Sequence, residues 1–209
     1  GVYGIVIMVL SIGFNAGAQN LVPNGCFDYS DTCSTQSIEP YDEIDPWFRL
    51  LGSADYLHPC FHQEYSVPQS TGGGGQPSCG QGYIGISCYV TAFLGREFIT
   101  VELTEPLSTN VNYKVRFRIS RMDSCWYATK NVGVYLSNDV PAANLTNLLN
   151  LEPQVKYEDN TFITDIHGWT RIEGALTATG GERYLTIGNF DDDENTDTLF
   201  VPGGGAYRP

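Results

Sequence analysis

Asn112-Tyr-Lys-Val-Arg-Phe-Arg-Ile-Ser120 decides the fold. Tyr113, Val115, Phe117 and Ile119 alternate strictly with Lys114, Arg116, Arg118 and Ser120, a period of two that gives a strand one dry face and one wet face. A helix would scatter the same apolar residues around its circumference. Each of the four can contribute roughly 1.5–3 kcal/mol when an opposing layer covers it, so the stretch reads as a core strand that needs a second layer.

Other segments supply such layers. Tyr83 to Val90 has β character, and Arg96 to Leu103 alternates, with Ile99, Val101 and Leu103 expected inward and Thr100 and Glu102 outward. Pro106 and Asn110 mark a turn into the central strand, which predicts a hairpin-like pair. Val132 to Ser137 is a further strand. Trp169 to Thr177 and Arg183 to Phe190 flank the turn Thr179-Gly180-Gly181-Glu182 and predict another hairpin. Trp47, between Pro46 and Phe48, reads as core. Leu145, Leu148, Leu149 and Leu151 suggest one short helical turn. Short strands, turn signals, no long amphipathic helix and no internal repeat predict an all-β, two-sheet antiparallel β-sandwich. The 209 residues suffice for one such domain with a sizeable core.

The start of the chain reads differently. Gly4 to Phe14 is an apolar run followed by Asn15-Ala16-Gly17-Ala18, a small-residue pattern suited to signal peptidase cleavage after Ala18. The run is shorter than the roughly 20 apolar residues of a membrane span. Without an initiator Met or basic residues ahead of it, the leader reads as clipped. Residues 1–18 are therefore expected to be a signal peptide and residues 19–209 the domain. Export places Cys26, Cys33, Cys60, Cys79, Cys88 and Cys125 in an oxidising compartment where disulfides are the default. Six cysteines allow 15 pairings; Cys33 with Cys60 is the first expectation, because both lie in loop-like segments. The rival for Cys60 is zinc, since His58-Pro59-Cys60-Phe61-His62 gathers three ligand types, although no Cys-x-x-Cys accompanies them. A net charge of −13 repels nucleic acid and anionic membranes.

Three features carry chemical suggestions. Asp191, Asp193, Asn195 and Asp197 place oxygen donors at alternate positions in a run with five carboxylates in seven residues, which suits calcium in a wrapped loop or, more simply, a solvated acidic turn. An EF-hand is excluded, because Thr196 and Pro202 stand where its Gly and bidentate Glu belong. The basic stripe Lys114, Arg116, Arg118 with Arg121 can hold an anion or pair across strands with Glu102 and Glu173. Trp126 and Tyr127 sit among polar residues in a connection, and Tyr56 and Phe61 lie in the Gly- and Pro-rich stretch 52–82. These four are the candidate ligand contacts, since aromatic faces suit sugar rings. No Gly-x-Ser-x-Gly elbow or other catalytic signature occurs.

Asn20-Leu21-Val22-Pro23-Asn24-Gly25-Cys26-Phe27-Asp28 resembles the opening of carbohydrate-binding-module-like jelly rolls. The resemblance runs on through Arg96-Glu97-Phe98-Ile99, Leu103-Thr104-Glu105-Pro106-Leu107, the central strand and Asn131 to Ser137. It is most specific at Gly181-Glu182-Arg183-Tyr184-Leu185-Thr186-Ile187-Gly188-Asn189-Phe190-Asp191-Asp192. Together these segments are similar to the amino-terminal, galactose-binding-like domain of exported OmpA-type cell-envelope proteins. The resemblance implies a jelly roll whose closing strand is truncated here, with Asp28 helping to hold a structural calcium. Pro46-Trp47 departs from the Gly-Trp pair usual there. A non-catalytic binding or adhesion module of the periplasm, outer membrane or cell surface is implied, meeting glycan or a peptidoglycan-associated component. A structural spacer without a ligand and a jelly-roll hydrolase or lyase are the alternatives.

Overall fold

The computed structural model describes residues 19–28, 45–61, 65–68, 75–90, 95–142 and 151–202, and the backbone of 2–9. Its twelve strands are β1 (Val2–Val9), β2 (Trp47–Leu51), β3 (Asp55–Leu57), β4 (Tyr83–Val90), β5 (Phe98–Glu102), β6 (Asn112–Arg121), β7 (Tyr127–Thr129), β8 (Gly133–Ser137), β9 (Val155–Lys156), β10 (Thr170–Thr177), β11 (Tyr184–Gly188) and β12 (Thr198–Phe200). Among the described residues there is no helix. One five-stranded sheet has the order β10-β6-β1-β4-β3, the other β2-β5-β11-β8-β9, and β12 with β7 forms a separate ribbon. The pairings are antiparallel.

The apolar half of the β6 alternation turns inward as expected, and the polar half is corrected, because Arg116 and Ser120 are buried rather than wet. Phe117 and Ile119 are buried and meet Ile84, Ile86 and Ile172 of their own sheet, with Ile99, Val101, Val134, Leu136, Leu185 and Ile187 of the other, in one core between two layers. Trp47 joins them, and its Nε1 donates to the Pro23 carbonyl at 3.2 Å. The polar face of β6 is tied down by Glu173 of β10, opposite Arg116 in register. Its carboxylate accepts from Lys114 at 2.9 Å and Arg116 at 3.1 Å and also pairs with Arg171. These cations, Lys114 foremost, hold the Glu173 carboxyl down at about 2. The stripe is thus structural at Glu173, while Glu102 pairs with Arg183 instead, at 3.0 Å.

Both expected hairpins are corrected. β5 pairs with β2 and β11, whereas β6 pairs with β1 and β10, so the turn between β5 and β6 crosses from one sheet to the other. The turn between β10 and β11 makes a second crossing. It is built on Gly180 and Gly181 at φ 102° and 93°, values that favour glycine. The Glu182 carboxylate accepts from the Thr179 and Gly180 amides. Thr100 is also corrected: it is 0 % exposed and hydrogen-bonds Thr186 across the sheet at 2.8 Å. β5 is an inner strand whose outward side is roofed as well, where Phe98 and Phe190 form a second apolar cluster with Leu50, Leu51, Tyr135 and Leu151.

No helix among the described residues is long and apolar enough to cross a membrane. The expected cleavage region before Gln19, the helical turn before Leu151 and the carboxy-terminal residues 203–209 lie outside the described residues. The apolar start of the chain supplies the backbone of β1, which lies between β4 and β6.

Candidate functional site: an aromatic ribbon beside an acidic loop

The β7–β12 ribbon pairs Phe200 with Tyr127, Leu199 with Ala128 and Thr198 with Thr129. One more bond, from the Val201 amide to the Trp126 carbonyl at 2.7 Å, extends it. Ala128 and Thr129 are buried and anchor the ribbon, and the Ile163 amide donates to the Thr129 carbonyl at 3.1 Å. The other side chains face outward. Phe200 is 51 % exposed and Leu199 41 %. The Phe200 ring stacks on Trp126 at 5.7 Å and 17° and meets Tyr127 edge-on at 5.5 Å. Exposed Phe200 and Leu199 beside half-buried Trp126 and Tyr127 mark a contact surface on this acidic protein.

Thr129 leads into Lys130 and Asn131, so the platform lies about 10 Å along the strand from a polar cleft. That cleft, of ≈ 130 Å³, is lined by Lys130, Asn131, Lys156, Tyr157, Asn160 and Asp191 among others. Asn131 organises it. Its Nδ2 donates to Asp191 at 2.7 Å and to the Asn195 carbonyl at 3.0 Å, while its Oδ1 accepts from the Asp197 amide at 2.8 Å. Lys130 donates to Asn160 at 2.8 Å and pairs with Asp197 at 3.2 Å. Lys156 bridges Glu152 at 3.0 Å and Asp191 at 3.7 Å, and the hydrogen bond to Glu152 leads in raising its pKa.

The acidic loop is held from beneath. Asn189, fully buried, donates to the Cys88 carbonyl and to Thr196 at 2.9 Å each. Buried Arg96 reaches Asp193 at 2.8 Å and Thr196 at 2.9 Å. The side chains expected to share calcium therefore have separate partners. Asp191 meets Asn131 and Lys156, Asp193 meets Arg96, Asp197 meets Lys130, and Asn195 donates to Asp192. Asp28 sits elsewhere, accepting from the Gln81 amide at 2.6 Å. Among the described residues no three His, Cys, Asp or Glu groups are gathered to hold a metal ion. This arrangement does not fit a common cation, because the lysines and Arg96 already offset the repulsion that calcium would relieve. Exchange of calcium for chelator is expected to move the melting temperature by less than about 2 °C; a rise of several degrees with calcium would show a bound ion.

Tyr56 is corrected as a ligand contact by its burial, whereas Phe61 stands half-buried. Tyr56 is 0 % exposed and donates to the Phe27 carbonyl at 2.6 Å, and the Phe61 ring packs edge-on against it at 5.5 Å. The Tyr56 ring is thus part of the core, with Phe61 packed against its edge. Trp126 and Tyr127, by contrast, stand half-buried on the ribbon. Sequence reading missed Phe200 and Leu199, although the apolar Leu199-Phe200-Val201 directly after the acidic run was the available signal.

Zinc at His58 and Cys60 is disfavoured because Cys60 is disulfide-bonded and has no thiolate to give. The expected Cys33–Cys60 pair involves Cys33, and the zinc set involves His62, both outside the described residues. Cys88 and Cys125 are buried thiols.

One carboxyl pair bears on hydrolysis. Burial foremost, then neighbouring Glu97, pushes Asp55 up to about 7. Glu97 itself is buried and accepts from Ser53 at 2.8 and 2.9 Å and from the Ser87 amide at 2.7 Å. Both its oxygens hold strand connections together, which makes the pair structural.

No family model matches the chain, and no curated protein or solved structure matches it significantly.

Proposed function

We propose that the chain is a non-catalytic extracytoplasmic binding module that meets glycan, or a peptidoglycan-associated component, through the β7–β12 ribbon. The stacked Trp126–Phe200 pair, with Phe200 exposed and Trp126 half-buried, carries this reading. Flat apolar rings suit the C–H faces of sugars, and the polar cleft lined by Lys130, Tyr157 and Asn160 lies beyond the platform. Anionic surfaces are disfavoured by the charge of −13. The finer fold assignment, a galactose-binding-like jelly roll of the OmpA-type envelope proteins, agrees with this role and rests on the sequence resemblance alone.

The test is titration with neutral oligosaccharides and soluble peptidoglycan fragments. Trp126→Ala and Phe200→Ala are each expected to weaken binding at least about tenfold, equivalent to 1.4 kcal/mol, with unchanged β circular dichroism. Binding that survives both substitutions, or no binding by the intact chain, would refute the assignment and favour a spacer.

A further inference from the structure

The charges around the ribbon decide which sugars suit it. Phe200 lies about 10 Å of extended chain beyond Asp197, and the Asp197 amide is fastened to Asn131 of the polar cleft. Both lysines of that cleft are committed. Lys130 holds Asn160 and Asp197, and Lys156 holds Glu152 and Asp191. An anionic ligand would have to break these pairs before it met a cation.

The carboxylates are in excess. Glu158 and Asp159 line the cleft, are exposed and make no ion pair among the described residues. On the acidic loop the Asp192 carboxylate accepts from Asn195, and neither it nor exposed Glu194 pairs with a cation among the described residues. The field at the cleft end of the ribbon is therefore negative, on a chain whose net charge is −13. A second copy of this chain is a poor occupant of the platform, since it brings the same charge of −13.

Rings and field together select a cation. An ammonium within about 6 Å of an aromatic centroid is attracted to the face of the ring, and unpaired carboxylates draw it from further away. The exposed Phe200 ring, stacked on Trp126, offers such a face next to those carboxylates. Resting on the ribbon reading, we propose that the ligand is an amino-sugar oligosaccharide whose amines are unacetylated and protonated. One unit stacks on the Trp126–Phe200 platform, and the amines of neighbouring units meet Glu158, Asp159 and the acidic loop. Acetylation replaces each ammonium by a neutral amide and removes that attraction.

The experiment titrates the intact chain with a glucosamine tetramer of the chitosan type and with the fully N-acetylated tetramer of the same linkage, at about pH 6, where carboxylates are ionised and sugar amines protonated. At about 0.01 M salt, where the Debye length is about 30 Å, the amine form is expected to bind at least about tenfold tighter; at about 1 M, where it is about 3 Å, the two agree within about twofold. Combining Glu158→Gln, Asp159→Asn and Glu194→Gln is expected to cut the low-salt ratio below about threefold, with unchanged β circular dichroism. Tetralysine, which offers equal charge without a sugar face to stack, is expected to bind at least about tenfold more weakly than the glucosamine tetramer. Equal affinities at low salt, tighter binding of the acetylated tetramer, a ratio that the triple variant retains, or tetralysine bound as tightly would overturn the amine assignment and leave the ribbon reading standing. Binding of neither tetramer would overturn the amine assignment as well. Binding of the glucosamine tetramer that survives Trp126→Ala and Phe200→Ala would overturn the ribbon reading with it.

Discussion

Replacing Cys26 and Cys79 by serine is expected to lower the unfolding free energy by about 2–4 kcal/mol, read as a drop in denaturant midpoint at unchanged slope. The cross-link spans 53 residues of sequence, for which loop-closure entropy alone gives about 4 kcal/mol. Its position argues for a full effect. Cys26 precedes Phe27, a buried residue at φ 53°, a value non-glycine residues rarely adopt. The conformation is fixed from several sides. The Phe27 amide donates to the Asn24 carbonyl at 3.0 Å, Tyr56 donates to the Phe27 carbonyl, and the ring lies 5.3 Å from Trp47. Gly82 lets the chain pass, since a Cβ there would come within 2.7 Å of the Phe27 carbonyl oxygen. The disulfide fastens this knot to the start of β4. A midpoint unmoved by the double substitution would mean that the other contacts suffice.

Asp55→Asn is expected to stabilise the protein by about 2 kcal/mol at pH 8 and to change little at pH 4. Asp55 rises from 3.8 to about 7 on folding, by burial first and then by the proximity of Glu97. A carboxyl whose pKa is raised favours the folded state in its protonated form. Its contribution is complete below about pH 4 and is lost as the pH climbs through 7. At about 1.36 kcal/mol per pH unit the ceiling is about 4 kcal/mol, and local relaxation brings the expected figure nearer half of that. Thermal melts of both proteins at the two pH values decide. An equal effect at both, or a loss at pH 8, would show that Asp55 is not held protonated by the fold.

How far the sequence could be read follows from which interactions are local. β6 and β4 were legible because alternation or β-rich composition is written in consecutive residues, and of the two candidate partners of the basic stripe, Glu102 and Glu173, only the structure selects Glu173, which lies opposite Arg116. Pairing was not. Adjacent strands joined by a short turn predict a hairpin, yet the turns before β6 and before β11 cross between layers, a choice made by which faces can be buried together. Thr100 read as outward because threonine is polar; its burial depends on Thr186, 86 residues away. Tyr56 read as a loop aromatic because the Gly-rich stretch has no period, while its burial goes with a bond to Phe27, 29 residues away. Phe200 stacks on Trp126 across most of a hundred residues of chain, a pairing no local pattern carries.

The ribbon as the place of recognition is tested most directly by the hydrogen-exchange footprint of whichever oligosaccharide or peptidoglycan fragment the intact chain binds. Slowed exchange over 126–131, 157–160 and 191–200, with 52–61 and 75–82 unchanged, is the predicted result. Protection confined to 52–61 and 75–82 would contradict it.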